Sequence, residues 1–335
     1  MTMRLTPRWY RDATDLARML DLVRAGAVGG ARHTYYQVGD VLWRMYQHPL
    51  DVWDPHTRLV LWEDAAGALM AFADLDVDLG SMTLQLHPAL RAAPDAADTL
   101  DALLAWAESQ PEELDLPAGA VPSTYPSFQL YAREDDALYL AALARRGYAR
   151  EDPDLLAFQR PLAGLEPAAA LPAGWAIRSM AELSAPDDLA RRVELHREVW
   201  APSRVTLEAY QRLRQAEGYR PDLDLVAVGP DGVFGAYCIC WADEANHSGE
   251  FEPVGVRREC RRLGLARAVL QEGCQRLRAG GASLAIVYTG AADSLPKFEA
   301  VPARRLYLSA GFTLVNALVT YRLERGPASP AFAQW

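Results

Sequence analysis

The stretch from Gly249 to Gly281 holds the residue pattern with the clearest chemical consequence. An apolar strand pattern runs into Arg261-x-x-Gly264-x-Ala266, and a helical pattern follows at once. A glycine-bearing turn at a helix start leaves several backbone N–H groups without carbonyl partners, at the positive end of the helix dipole. That combination makes an anion site suited to a pyrophosphate. Gly264 matters because a side chain there blocks close approach of the phosphates. Arg257, Arg258, Arg261, Arg262 and Arg267 put five cations around the same loop.

The elements that must position this loop can be read on either side of it. Helical patterns cover Asp187–Trp200 and Leu207–Glu217, and an apolar hairpin spans 225–241. A strand covers Glu250 to Val256, where Pro253 cannot donate to a ladder and so marks a bulge or a broken edge. The helix over Leu263–Ala279 presents Ala266, Leu270, Cys274 and Leu277 on one apolar face. A strand at Leu284–Thr289, a short helix near Ala303–Ser309 and a last strand at Thr313–Leu323 complete the series. Hairpins followed by strand–helix–strand units predict a mixed α/β sheet flanked by helices.

The chain also repeats itself. Residues 59–75 (LVLWEDAAGALMAFADL) and 225–241 (LVAVGPDGVFGAYCICW) are each two apolar strands around an acidic, glycine-ended turn. Residues 143–162 and 308–323 share a helix end, a glycine before an aromatic, and an alternating strand. Gly67 to Gly232 is 165 residues and Gly147 to Gly311 is 164, so two independent landmarks give nearly one offset. The reading is a duplicated domain: 1–162, an Ala/Pro-rich linker at 163–173, a second copy at 174–325 and a tail at 326–335. In the first copy Ser81–His87 and Ala97–Ser109 take the places of the Glu250 strand and the Leu263 helix.

Length and composition agree with two soluble domains. The 335 residues are 50% hydrophobic and 23% charged, which excludes wholesale disorder. With 34 basic and 44 acidic residues the formal net charge is −10, against a broad nucleic-acid or anionic-membrane surface. No signal-peptide pattern opens the sequence, and no stretch approaches the ~18 apolar residues of a membrane helix, so the expected compartment is cytoplasmic. Cys238, Cys240, Cys260 and Cys274 lack the spacing of a closed metal site and are expected as buried, reduced thiols with no metal.

Val254-Gly255-Val256, followed by Arg261/Gly264/Ala266 and then by Leu306-Tyr307-Leu308-Ser309-Ala310-Gly311-Phe312, resembles the GNAT superfamily of acyl-CoA-dependent N-acyltransferases. The resemblance covers most of 174–325. It implies two tandem GNAT-type folds and direct transfer of an acyl group from acetyl-CoA to the amine of a small molecule. It also implies that Arg261, Arg262, Leu263, Gly264, Leu265 and Ala266 hold the pyrophosphate. The Val-x-Val strand splays from its neighbour in this family, leaving main-chain groups of Val254 and Val256 to the pantetheine arm. By the same resemblance Glu250 is the general base, with Glu252 the near alternative, and Tyr307 protonates the departing thiolate. In the first copy the matching stretch is His87-Pro88-Ala89-Leu90-Arg91-Ala92-Ala93-Pro94-Asp95, with no glycine and two prolines. Proline removes the N–H groups that would bind phosphate, so the first copy is expected to be degenerate.

The sequence departs from the family between Thr289 and Tyr307, where a longer link carries Asp293, Ser294, Lys297 and Phe298. His33, His196, Trp9, Trp43, Trp53 and Trp200 fall in segments expected near the acceptor cleft, with core packing as the default for each. The expected assembly is a monomer or homodimer without nucleic-acid or membrane partners, and the net charge favours a cationic or polar acceptor. Two rivals stand beside the enzyme: a non-catalytic acyl-CoA sensor or scaffold, and an aminoacyl-tRNA-dependent transferase of paired GNAT-like folds, which the acidic charge disfavours.

Overall fold

Alternating apolar stretches form strands and amphipathic stretches form helices in the computed structural model, which describes residues 4–27, 34–76, 80–109, 127–166, 170–291 and 300–324. In chain order the elements begin β1 (Thr6–Trp9), α1 (Ala13–Ala27), α2 (Val38–Tyr46), α3 (Pro55–Arg58), β2 (Leu59–Glu63), β3 (Leu69–Asp76), β4 (Ser81–Leu86) and α4 (Pro88–Arg91). Next come α5 (Ala96–Ser109), β5 (Ser127–Arg133), α6 (Ala137–Arg145), β6 (Ala149–Pro161), β7 (Ala176–Ser179), α7 (Asp188–Val199) and α8 (Leu207–Leu213). The series ends with β8 (Asp224–Val228), β9 (Phe234–Asp243), β10 (Ser248–Val256), α9 (Leu265–Ala279), β11 (Leu284–Gly290), α10 (Ala300–Ser309) and β12 (Thr313–Glu324). No helix among the described residues is long and apolar enough to cross a membrane.

Two compact units form. Met1–Tyr36, Trp53–Asp154 and Asn316–Trp335 make the first, and Gln37–Val52 with Leu155–Val315 make the second. Within the first unit the sheet order is β1-β2-β3-β4-β5-β12, antiparallel except for the parallel pair β4/β5. Within the second it is β7-β8-β9-β10-β11-β6, antiparallel except for the parallel pair β10/β11. The two sheets match position by position in order and sense, so the sequence repeat is a repeat of topology. Each sheet takes its sixth strand from the end of the other repeat. The compact units and the duplicated stretches are therefore different divisions of one chain, and we retain 1–162, 163–173, 174–325 and 326–335 as a proposal for the latter.

The paired landmark glycines explain why both copies turn alike. Gly67 and Gly232 both lie at positive φ in their hairpin turns, and Gly147 and Gly311 do so where α6 and α10 give way to strands. In the second unit the core lies between the sheet and α9, around Cys240, Phe251, Val269, Leu270, Cys274 and Leu277. All four cysteines are free and buried, and the Cys238 and Cys240 sulfurs are 3.9 Å apart on one face of β9. The buried stripe of α9 includes Leu265 and Val269 as well as Leu270, Cys274 and Leu277, whereas Ala266 is half-buried. The stripe is rotated from the expected one because the helix starts at Leu265, whose side chain is driven into the core. Helix α8 stops at Leu213, short of Glu217, where bonds such as Ala216 N–H to the Leu213 carbonyl tighten the chain into turns before Gly218 at φ 95°.

Candidate active site

Three features of the second unit converge on the carboxyl end of β10. The first is a parting of strands. β10 pairs with β11 only from Ser248↔Leu284 to Glu250↔Ile286, although both strands run on, to Val256 and Gly290. On its other side β10 stays paired to β9 through Val256↔Ala236, with a register shift between Phe251 and Val254. The bulge expected from Pro253 therefore falls where the strands begin to diverge, and Val254 and Val256 lie on the diverging segment.

The second feature is the loop into α9. Gly264 is the N-cap residue with φ 81°, and Arg262 two residues earlier also lies at positive φ, 63°. A Cβ built on Gly264 meets no atom within 4 Å, so the space in front of the helix start is open. The N–H groups of Leu265, Ala266 and Arg267 open the helix and have no carbonyl one turn back. Arg258, Arg262, Leu263 and Arg267 are exposed around them and Arg261 is half-buried, while Arg257 turns to Glu198 at 3.2 Å. Open space at a residue that must lack a side chain, free helix-start donors and exposed guanidinium groups fit a pyrophosphate.

The third feature is a set of carboxyl groups. Glu250 is buried at the last paired position of β10 and β11. Its Oε2 accepts the Asp40 N–H at 3.1 Å, from the first turn of α2. Asp40 in turn accepts the Gln37 N–H on Oδ2 at 2.8 Å, and the Gln37 amide donates to the Tyr288 hydroxyl at 3.2 Å. Burial, reinforced by the charges of Asp40 and Glu252, pushes Glu250 well above the ordinary carboxylate range. Burial also raises Asp40 to about 6 and, together with the Asp40 charge, Glu252 to about 8. Glu252 is half-buried in the bulge, and its carbonyl accepts the Trp241 indole N–H at 2.6 Å.

The approach of α2 to β10 depends on Gly39. A Cβ there would sit 2.3 Å from Trp241 Cδ1 and 2.4 Å from Glu250 Oε2. Gly39→Ala is expected to destabilise the protein by about 1–3 kcal/mol through overpacking, read as a lower melting temperature. A melting curve that superimposes on the wild type refutes this close approach.

Tyr307 lies on α10 with its ring buried against Phe158 and Phe312, at centroid distances of 5.9 and 6.1 Å. Among the described residues its hydroxyl has no hydrogen-bond partner. Burial and the charge of Glu252 raise its pKa further above 10, so the phenol stays protonated at neutral pH. Other residues named from sequence are structural. His196 is buried, its Nδ1 is 2.7 Å from the Tyr237 hydroxyl, and burial beside Arg192 lowers it to about 3, so it is neutral. Trp200 donates to that same hydroxyl at 2.8 Å, and Trp43 packs edge-on to His196 at 5.2 Å. In the first unit Trp9 is half-buried and Trp53 is buried. His33, Asp293, Ser294, Lys297 and Phe298 lie outside the described residues.

The first unit has a different helix start at the position matching the phosphate loop. His87 is the N-cap of α4, Pro88 follows it, and the His87 Nδ1 itself accepts the Ala89 N–H at 3.1 Å. Arg91 is turned inward to Asp136 at 2.6 Å. Its donors and cation are consumed by the protein. Among the described residues no group of three or more His, Cys, Asp or Glu could hold a metal ion.

Comparison with known proteins matches this arrangement. Residues 190–312, which contain β10, the loop, α9 and Tyr307, match the Acetyltransferase (GNAT) family. The fold is that of the GNAT superfamily. A GCN5-related N-acetyltransferase from Sphaerobacter thermophilus is similar over 96% of this chain and 97% of its own, with 22% identity and a TM-score of 0.59. A tandem GNAT protein from the clavulanic acid biosynthesis pathway is similar over 98% of this chain and 100% of its own, with 16% identity and a TM-score of 0.61. Both likenesses span the whole tandem fold. A mycothiol acetyltransferase from Actinosynnema mirum is 29% identical over 266 residues, 77% of this chain and 82% of that protein. The contact that the sequence does not display is that of Asp40 with Glu250. Gln37-x-x-Asp40 can be read as a capping box, but nothing in the sequence joins it to Glu250, 210 residues away.

Proposed function

We propose that the protein is an acetyl-CoA-dependent N-acetyltransferase that modifies the amine of a small molecule at the second unit's site. One observation carries the reading: an open, glycine-capped helix start lies in the same unit as a strand pair that parts at a buried glutamate. Arg261, Arg262, Leu263, Gly264, Leu265 and Ala266 would hold the pyrophosphate, and the main chain of Val254 and Val256 the pantetheine arm. Bound acetyl-CoA supplies an activated acyl group, and its C–S bond breaks as the acceptor's C–N bond forms. Glu250 takes a proton from the acceptor amine, and its raised proton affinity makes it a stronger base than an exposed carboxylate. Tyr307 gives its proton to the departing sulfur and is reprotonated from solvent. Glu252, raised to about 8, is mostly protonated at neutral pH and adds a second carboxyl beside the acceptor. The likeness to a mycothiol acetyltransferase is in keeping with a small acceptor.

Tyr307→Phe is expected to lower kcat by about 10- to 100-fold with KM for acetyl-CoA unchanged, since only a proton is lost and the ring packing stays. Unchanged kcat removes Tyr307 from the reaction. The whole reading is tested by acetyl-CoA-dependent thiol release against an amine library, alongside calorimetric titration with acetyl-CoA. Saturable binding and release with a subset of amines is the expected result. Absence of acetyl-CoA binding overturns the assignment, and binding without release to any amine points to the sensor instead.

A further inference from the structure

We propose that Asp40 is the positioning residue for Glu250: the first turn of α2 holds the glutamate in place, and the Asp40 carboxyl shares a proton with it and strengthens it as a base. This inference rests on the acyl-transfer reading of Glu250. The geometry has three parts. The Asp40 N–H donates to Glu250 Oε2 at 3.1 Å, which fixes the carboxyl against the helix start. Gly39 brings the helix backbone so near that a Cβ would lie 2.4 Å from the same oxygen. Gln37 anchors the turn at both ends, giving its N–H to Asp40 Oδ2 at 2.8 Å and its side-chain amide to Tyr288 of β11 at 3.2 Å. The turn is thus tied to β10 and β11 together, at the point where they part.

The groups facing Glu250 decide how the pair ionises. Asp40 from α2 and Glu252 from β10 are the titratable neighbours that act on it. β9 presents the Trp241 indole opposite Glu250, β11 presents the Tyr288 hydroxyl through Gln37, and α9 places apolar Leu277 under Gly249. The Asp40 N–H is bonded to Glu250 Oε2, which brings the half-buried Asp40 carboxyl beside the buried Glu250, and neighbouring carboxylates shielded from water cannot both be charged at little cost. The pair therefore carries one proton and one negative charge across the neutral range. The base is the form of the pair that has lost this proton, and when the acceptor amine gives up a proton to it, the negative charge of Asp40 raises the affinity of Glu250 for that proton. A packing role alone would be served by an apolar contact.

Asp40→Asn tests this, because asparagine keeps the backbone N–H to Glu250 and an oxygen for the Gln37 N–H while removing the charge. With acetyl-CoA and the acceptor from the amine screen, the acid limb of the kcat profile should move to lower pH by about one unit or more. The plateau should fall roughly tenfold, because the base is weaker, with KM for acetyl-CoA unchanged. Asp40→Glu should return the limb toward its wild-type position. A limb that stays put in Asp40→Asn, with only a lower melting temperature, overturns the proposal. Should Asp40→Asn fail to fold, infrared pH titration of the intact, ligand-free protein serves instead. It should show protonated carboxyls persisting above pH 6 from both Glu250 and Glu252, of which Glu250→Gln removes one and Glu252→Gln the other, and absence of the one that Glu250→Gln removes overturns the proposal. Absence of acetyl-CoA binding or of thiol release with any amine sinks the acyl-transfer reading itself, and full activity of Glu250→Gln sinks the role of Glu250 as base and with it that of Asp40. An inactive Glu250→Gln with an unmoved Asp40→Asn profile sinks only the role of Asp40.

Discussion

Glu250→Gln is expected to lower kcat by about 10²–10⁴-fold while leaving calorimetric affinity for acetyl-CoA at the wild-type value. Glutamine has the shape of glutamate, and its amide oxygen can still accept the Asp40 N–H that Glu250 accepts at 3.1 Å. Only the capacity to take a proton is removed. The substitution also relieves the crowding of charge around Asp40 and Glu252, so folding stability should hold or rise. The pH profile supplies the sign. A base works when deprotonated, and burial raises Glu250 above the carboxylate range, so wild-type kcat should climb with pH over an acid limb displaced upward from that range. Glu250→Gln should lose that limb along with the rate. Glu252→Gln is the comparator, because Glu252 is raised to about 8 yet lies half-buried in the bulge without a helix holding it. The larger loss should belong to Glu250. The reverse order assigns the base to Glu252 and the electrostatic role to Glu250.

That the sequence left these two glutamates unresolved has a physical cause. Alternation along β10 is broken between Phe251 and Val254, so counting residues from Val256 cannot say which side chain enters the cleft. Local signals were legible wherever one turn or one helix start determined the conformation. Gly67 and Gly232, Gly147 and Gly311, and Gly264 take the positive φ that their places in the repeat and the loop require. Pro253 marked the shift of register from its missing N–H alone. What could not be read was pairing across long separations. The sixth strand of each sheet comes from the end of the other repeat, a choice that β6 and β12, alike in pattern, cannot display in sequence. For the same reason Asp40 lay hidden, since its helix start was legible but its partner was not. The five arginines illustrate a third case, in which composition placed the charge and packing then diverted Arg257 to Glu198.

Gly264→Pro is expected to weaken acetyl-CoA binding by about 100-fold or more in calorimetry, with kcat at forced saturation much less affected. Proline holds φ near −65°, whereas Gly264 lies at +81°, and it deletes an N–H from the turn at the mouth of α9. The loop must then re-form, and the donors of Leu265, Ala266 and Arg267 lose their common direction. Gly264→Ala separates conformation from contact. Alanine at positive φ costs about 1–2 kcal/mol of folding stability, but its Cβ meets nothing within 4 Å, so the protein itself offers no clash. A loss of acetyl-CoA affinity in the alanine variant beyond that expected from its shift in melting temperature would therefore report a ligand in the open space. Alanine is expected to bind at least tenfold more weakly than wild type, and proline more weakly still. At His87–Asp95 of the first unit, where Pro88 and the His87 ring already occupy the helix start, substitutions should leave acetyl-CoA affinity unchanged. Affinity that survives Gly264→Pro, or that falls with changes at His87, moves the phosphate site away from α9.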